Sequence, residues 1–458
     1  MGRTFEEVES LIAERQIRMI DLKCVDLRGR LHHISLPVER FVPSILHDGV
    51  GFDGSSFGFS KVESSDMVIT PDLDTAVVDP FRDIPTLSFF TKIHLTDDVR
   101  TRFSQDPRRI AESAEKQLAA EGIADKSLWG PEYEFYIFGK VEYDTRTSAS
   151  YYYVHHAEEI HHNAYHAANP QDRFDDFRDT AVRTMMDLGI DVKYHHHEVG
   201  ERGQQEIEVM FNTLLNTADQ AILTKYILFN LADMNDLHVT FMPKPLFRQA
   251  GSGWHVHQYL TKRGKNAFYG KGQYGNMNPT GLHYIGGLLK HAGAISAITN
   301  PSTNSYKRLV PGFEAPVAVT FGMANRSSAI RIPSYVSDPQ KTRMEYRPPD
   351  ATANPYLALA AMLMAGIDGI VNKIDPVKEG FGPIDTNVFD ESMKGRFRFL
   401  PRDLDQALDE LEGDHAFLLR GGVFSEALIH RWIDVKRQEL REIATMPNPY
   451  EYKLYFDL

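Results

Sequence analysis

The sequence predicts an α+β protein: a small mixed first domain over residues 1–105, then a larger α+β domain over residues 106–458. Three observations predict it. Residues 20–24 alternate apolar and polar as a strand does, strand-like and helix-like runs then succeed one another to about residue 370, and the last eighty or so residues read mostly as helix. At 458 residues the chain is also too long for one ordinary domain.

Thr4 followed by Glu7 forms a capping-box pattern, and Phe5, Val8, Leu11 and Ile12 make the apolar stripe of a first helix. Ile20, Leu22 and Cys24 then alternate with Asp21 and Lys23, and Arg28-Gly29 supplies a turn into Leu31–Leu36. Asp106-Pro107 marks a new start, and a helix over Arg109–Ala120 follows it. Asn354-Pro355 opens another helix. Its apolar run, Tyr356 to Ile367, ends at Asp368, too short to span a bilayer, so it reads as a core helix. The chain closes on an apolar tail, Tyr452-Lys453-Leu454-Tyr455-Phe456, that needs something to dock against.

Composition narrows the class. With 42% hydrophobic and 25% charged residues the chain is globular rather than disordered. A net charge of −13 speaks against a nucleic-acid binder, which needs a basic face. Residues 300–350 run the other way, with seven basic residues to four acidic, as a phosphate-handling site would. Cys24 is the one cysteine, so no intrachain disulfide forms and a reducing cytoplasm is expected. No signal peptide is seen, Glu6 stands where a myristoylation signal needs Ser or Thr, and no membrane association is expected.

The chemistry lies in five short runs. There is no P-loop, and Gly251-Ser252-Gly253 does not extend to a dinucleotide fingerprint. Glu132 and Glu134 sit two apart in an apolar strand, so both carboxylates project from one face. Alone they would make a solvated face. His195-His196-His197-Glu198 precedes Gly203-Gln204-Gln205-Glu206, and His255 and His257 again lie two apart. Arg343-Met344-Glu345-Tyr346-Arg347 alternates charge with bulk; by itself it would be a salt-bridge ladder. If these runs meet, Glu132, Glu134, Glu198, Glu206, Glu345 and a histidine form a cluster too anionic to stay ionised without cations. Mg²⁺ or Mn²⁺ suits such ligands, and two such ions facing arginines are the equipment of phosphoryl transfer.

These runs resemble the glutamine synthetase family, in its bacterial and archaeal type I form. The motifs that carry the resemblance are Gly51-Phe52-Asp53-Gly54-Ser55-Ser56, Gly130-Pro131-Glu132-Tyr133-Glu134, His197-Glu198-Val199, Gly203-Gln204-Gln205-Glu206 and His255-Val256-His257. Asn304 through Pro316, Asn325-Arg326 through Pro333, Glu345 through Asp350 and Asn354-Pro355-Tyr356 continue it in the same order, from about residue 15 to the end.

The resemblance implies a β-grasp-like first domain and a glutamine-synthetase-type catalytic domain. It implies ATP-dependent joining of ammonia to the side-chain carboxylate of L-glutamate, through γ-glutamyl phosphate. One metal would be held by Glu134, Glu198 and Glu206, the other by Glu132, His255 and Glu345. Arg326, Arg331 and Arg343 would contact ATP, with His257 and Phe211 beside the nucleotide. Arg308, Arg347 and the Gly251 segment would hold glutamate. Asp53, Ser56, Tyr165, Glu198 and the flap residue Glu314 would form the ammonium pocket, with Asp53 as general base. Asp53 and Ser56 would serve a neighbouring subunit's site, within a double-ring dodecamer tethered by the C-terminal tail.

Some positions depart from the family pattern. Ala250 replaces a common Asn, Trp254 a Met, Tyr259 a small hydroxyl residue and Gln340 a basic one. Arg396 through Pro401 stands where adenylylated members carry Asn-Leu-Tyr-Asp-Leu-Pro, and it offers no hydroxyl. The histidines from His155 to His166 read as exposed loop residues rather than a metal site. Two rival functions remain: a ligase of the same family that uses an organic amine, and a catalytically inactive relative. Loss of metal ligands would mark the inactive relative, and all six are present.

Overall fold

The computed structural model describes residues 2–59, 65–310, 315–390, 393 and 395–457. The Thr4 hydroxyl accepts from the Glu7 amide while the Glu7 carboxylate accepts from the Thr4 amide, so the capping box starts α1 (Phe5–Glu14). The first sheet follows: β1 (Met19–Val25), β2 (Leu31–Pro37), β3 (Val50–Asp53), β4 (Asp66–Pro71), β5 (Val77–Val78) and β6 (Thr86–Leu95). Its order is β2-β1-β6-β4-β3, with β5 on β6; β1 and β6 run parallel and the other pairs antiparallel. Gly29 turns β1 into β2 at φ +89°, a conformation that disfavours any residue with a Cβ.

The alternation in β1 does not leave a wet face. Asp21 and Lys23 are buried, and the Lys23 ammonium donates to Asp21, Asp79 and Ser88 at 2.7, 2.8 and 2.6 Å. Tyr226, from the second domain, donates to the same Asp79 carboxylate at 2.9 Å. The polar face of β1 is therefore part of the contact between the domains. Cys24, on the other face of β1, is buried as well, and burial, with Asp106 and Asp26 nearby, pushes its thiol up to about 12.

Asp106 caps α2 (Pro107–Ala120) by accepting from the Arg108 amide. Next come β7 (Lys126–Phe138), the hairpin β8 (Lys140–Arg146) and β9 (Ala149–His155), α3 (Asp175–Asp187), β10 (Val192–His197), β11 (Gln204–Val209), β12 (Asn212–Thr213) and α4 (Leu214–Met234). Then follow β13 (His238–Thr240), β14 (Trp254–Lys262), β15 (Lys265–Asn266), α5 (Pro279–Lys290), α6 (Ala292–Thr299) and α7 (Ser305–Arg308). The chain continues through β16 (Ala318–Met323), β17 (Ser328–Ile332), β18 (Met344–Tyr346) and α8 (Pro355–Val371). It ends with α9 (Leu404–Gly413), α10 (Ala416–Leu419), α11 (Glu426–Ala444) and α12 (Pro449–Tyr455).

The second sheet has the order β10-β11-β7-β14-β18-β17-β16, almost all antiparallel. Helix α8 lies behind it with Pro355 to Gly369 buried, because its sequence is apolar on every side. Asn354 caps it and also donates to the carbonyls of Asp26 and Leu27. The start of the core helix is thereby fixed to the first domain. No described helix is long and apolar enough to cross a membrane.

Candidate active site

The site follows from strand register. Directly paired residues of antiparallel strands put their side chains side by side on one face. Glu206 pairs with Glu134 and with His196, Glu208 with Glu132, and Glu132 with His255. His257 pairs with Glu345, and Glu345 with Arg331. Period-two spacing within β7, β11 and β14 then places all of these on one face. Five strands drawn from residues 126 to 346 thus deliver a continuous carboxylate and imidazole surface.

Hydrogen bonds fix these side chains. Glu132 bridges two rings, with Oε2 3.0 Å from His255 Nδ1 and Oε1 2.9 Å from His257 Nε2. Glu345 is fully buried and accepts from Arg331 at 2.5 Å and Arg347 at 2.6 Å. Glu134 accepts from the Gly253 amide at 2.7 Å. The carbonyl of Glu198 lies 2.7 Å from His197 Nδ1, and His197 Nε2 lies 2.7 Å from Glu158, so a buried pair holds the loop that presents Glu198.

Electrostatics divide the carboxylates into two kinds. Burial would raise Glu132, but the bonds to His255 and His257 hold it well below the usual range. Burial opposes Glu345 likewise, yet Arg347 and Arg331 bring it down to about 2. Burial and Glu134 push Glu198 up to about 7, and burial with Glu132, Glu134 and Glu198 pushes Glu206 well up. Such crowding of buried acids is relieved by cations. Glu132, His255 and Glu345 each bring a ligand atom within 4.8 Å of the others, and so do His196, Glu198 and Glu206. An oxygen-rich donor set with imidazoles fits hard divalent ions.

A cavity of about 660 Å³ opens over this surface. Tyr165, Gly251, Arg308, Arg326, Arg331 and Arg347 line it together with the carboxylates. Arg308 is buried and tied to the Pro348 carbonyl at 2.7 Å, and burial lowers its pKa. Phe211 lies 6.4 Å from the His257 ring, and the Arg343 guanidinium stands 5.6 Å above Phe211. Burial and the neighbouring Glu198 raise the Tyr165 phenol.

Not every expected residue joins in. Asp53 ends β3 and Ser56 lies in the turn that follows, both outside the residues lining the chain's own cavity, and Asp53 is exposed. Ser56 and Ser55 donate to it at 2.6 and 2.7 Å and hold its carboxyl well below the usual range. Glu314 lies outside the described residues. Glu134 stands 3.5 Å from His255 Nδ1 and is not part of the trio of His196, Glu198 and Glu206.

Three residues of the site escaped the sequence reading. His196 and Glu208 share a face with Glu198 and Glu206, and period-two spacing was the signal for both; Glu208 is buried with one carboxylate oxygen unpartnered. Tyr335 packs against Arg331 and Arg343 at 5.8 and 5.6 Å, and no sequence pattern marked it. Of the departures, Trp254 is buried against Tyr133, Tyr259 lies 5.1 Å from Phe211, and Gln340 accepts from the Asn266 amide at 3.1 Å.

A carboxylate-lined sheet faced by arginines defines a metal-dependent enzyme of the kind that handles phosphoryl groups. The family models agree: residues 16–96 match the glutamine synthetase β-grasp domain and residues 104–455 the glutamine synthetase catalytic domain. Glutamine synthetase of Frankia alni is 43% identical over 475 residues, 99% of each chain. That of Mycolicibacterium smegmatis is 41% identical over 480 residues, covering 100% of this chain and 99% of its own. The solved Plasmodium falciparum glutamine synthetase superposes with a TM-score of 0.90 at 28% identity, over 99% of both chains. This chain belongs to the glutamine synthetase family, and its fold is the expected β-grasp domain followed by an α+β catalytic domain.

Proposed function

We propose that this protein is an ATP-dependent carbon–nitrogen ligase that joins ammonia to the γ-carboxylate of L-glutamate, giving L-glutamine, ADP and phosphate. The observation that carries the reading is the row of cross-strand ligands opposite Arg308 and Arg347 in one cavity. Full-length likeness to curated glutamine synthetases supports it over an organic-amine ligase. The six ligand positions, all acidic or imidazole, speak against an inactive relative.

A carboxylate is a poor electrophile for an amine, so its oxygen is first phosphorylated. Arg308 and Arg347 would orient glutamate by its carboxylates, and each is itself held by the protein at 2.7 and 2.6 Å, which fixes their direction. Arg326 and Arg343 would meet the phosphates, and Arg331 stands ready to join them from beside Glu345. Divalent ions, for which we take Mg²⁺ or Mn²⁺, would sit on Glu134, Glu198 and Glu206 and on Glu132, His255 and Glu345, and supply charge neutralisation and alignment of the phosphates. Tyr165 and Glu198 offer acceptors for ammonium, and Asp53 would take its proton. Glu314 would close the pocket against water.

Asp53 and Ser56 lie outside the cavity of their own chain, which supports a site completed by a neighbour in a ring. The exposed α12, with Phe456 80% exposed, supports the tether between rings and hence a dodecamer. We take the cytoplasm as its location and residues 1–105 and 106–458 as its working units. The test is product analysis with ¹⁵N-labelled ammonium, glutamate and ATP. The reading requires glutamine labelled at the amide, one phosphate per glutamine, and no phosphate release without glutamate.

A further inference from the structure

A second cavity, of about 1000 Å³, lies where the first domain meets the second. Its wall is basic. Lys23, Arg28, Arg30, Arg82, Lys225 and Lys436 face Asp21 and Glu439 there. The acids are already engaged: Asp21 holds Lys23 and His33, and Glu439 holds Arg28 and Lys436, both at 2.9 Å. Among the described residues Arg30, Arg82 and Lys225 make no salt bridge.

Lys225 is the informative one. It projects from α4, half-buried, and its ammonium donates to the carbonyl of Ala351 and lies 5.6 Å from the Phe241 ring centroid. Burial pushes its pKa down to about 8, against the pull of Asp350. Burial raises the Asp350 carboxyl in turn. An ammonium so placed gains from an anion that enters the cavity beside it.

Ala351 also ties this cavity to the glutamate side. It ends the stretch that begins at Arg347. Arg308 donates to the Pro348 and Pro349 carbonyls, and Asn300 to the Pro348 carbonyl and to Asp350. Thr352, on the cavity wall, donates to Asp350. One wall therefore serves both cavities, with Arg308 and Arg347 on one side and Lys225 on the other.

We propose that the inter-domain cavity is a regulatory site for a small, multiply charged anion, held by Lys225, Arg30 and Arg82, whose binding changes the affinity for glutamate through the Lys225–Ala351 contact. The charge pattern fits a tetrahedral oxyanion or a short dicarboxylate equally. Coupling energies between such sites commonly reach about fivefold or more in affinity.

The test uses the full-length enzyme with selenate and succinate as probes, against chloride at matched ionic strength. Crystals soaked in selenate should show an anomalous peak between Lys225, Arg30 and Arg82. One of the two probes should shift the KM for glutamate about fivefold, and the probe that saturates at lower concentration names the class of anion. The Arg30→Ser/Arg82→Ser double variant touches neither catalytic cavity nor ligand, so its kcat without probe should match the wild type while peak and shift both vanish. Absence of the peak together with no shift from succinate, or an equal shift in the double variant, overturns the proposal. A peak with no shift from either probe overturns it as well, leaving an adventitious ion only. The KM arm rests on the glutamate-ligase reading and the anomalous peak does not, so failure of the two is distinguishable.

Discussion

Arg347 donates to the Oε1 of Glu345 at 2.6 Å, which joins the residue proposed to hold glutamate to a residue proposed to hold metal. Arg331 takes the other oxygen at 2.5 Å, so Glu345 carries no free oxygen of its own in the fully buried site. A metal ion would have to share these oxygens with the guanidinium groups.

Removal of Glu345 therefore has two effects. Glu345→Ala leaves two arginines facing each other without their anion, which costs about 3–5 kcal/mol when a buried pair is broken. Glu345→Gln keeps the shape and one acceptor and should leave the melting temperature much closer to wild type. Both should lose at least about a hundredfold in kcat at saturating Mg²⁺. Near-normal turnover of the glutamine variant would remove Glu345 from the ligand set.

The position of Asp53 outside its own cavity makes a prediction about mixing. Asp53→Ala and Glu345→Gln should each be nearly inactive as pure oligomers. Refolded or co-expressed together in equal amounts, they should recover about a quarter of wild-type activity, because random neighbours complete that share of sites. Recovery at background level would show that each subunit builds its site alone.

His291 predicts a pH effect on stability away from the site. Its ring nitrogens lie 3.0 Å from Asp368 and 2.8 Å from Asp414. Burial lowers its pKa, but the two carboxylates outweigh burial and the net shift is upward from 6.5. The protonated form is thus favoured in the fold. The stability it contributes is complete below 6.5 and is lost as pH rises through the folded value. The gap in melting temperature between wild type and His291→Gln should be larger at about pH 6 than at about pH 9. A gap that widens toward alkaline pH would contradict the pairing.

In the run from Arg396 to Pro401, where the resemblance leads one to look for an adenylylated tyrosine, Arg398 donates to the carbonyls of Leu289 and Lys290 at the end of α5. It offers no nucleophile and has a structural occupation. Intact-mass and peptide spectrometry of enzyme from nitrogen-replete cells should find no AMP on Arg396 to Pro401. An AMP adduct there would refute this.

Much of this was legible before the fold was known, for physical reasons. The capping box at Thr4, the Asp106 and Asn354 caps and the buried run of α8 are local signals, and each appears where the sequence placed it. The pairs Glu132/Glu134 and His255/His257 declared their shared faces by period two. Register between strands is not local. Nothing in the sequence pairs Glu345 with His257, or sets Glu208 beside Glu132, because those partners are set by packing of the whole sheet. Tyr335 gained its place by tertiary contact alone. The polar side of β1 was legible as alternation, but its burial against Tyr226 belongs to the meeting of two domains.

The choice of nitrogen donor tests the central claim most directly. Ammonium offers four N–H donors in a small volume, and Glu198 and Tyr165, the residues proposed to receive it, are acidic and phenolic acceptors on the cavity wall. Exclusion of a larger amine should come from steric fit and from acceptors left unpaired, worth on the order of a hundredfold in rate. The measurement is phosphate release at saturating glutamate and ATP, with kcat/KM determined for ammonium, methylamine, ethanolamine and a polyamine. The account predicts ammonium ahead of each by about a hundredfold. A kcat/KM for ethanolamine or a polyamine above that for ammonium would contradict it and identify an amide ligase instead.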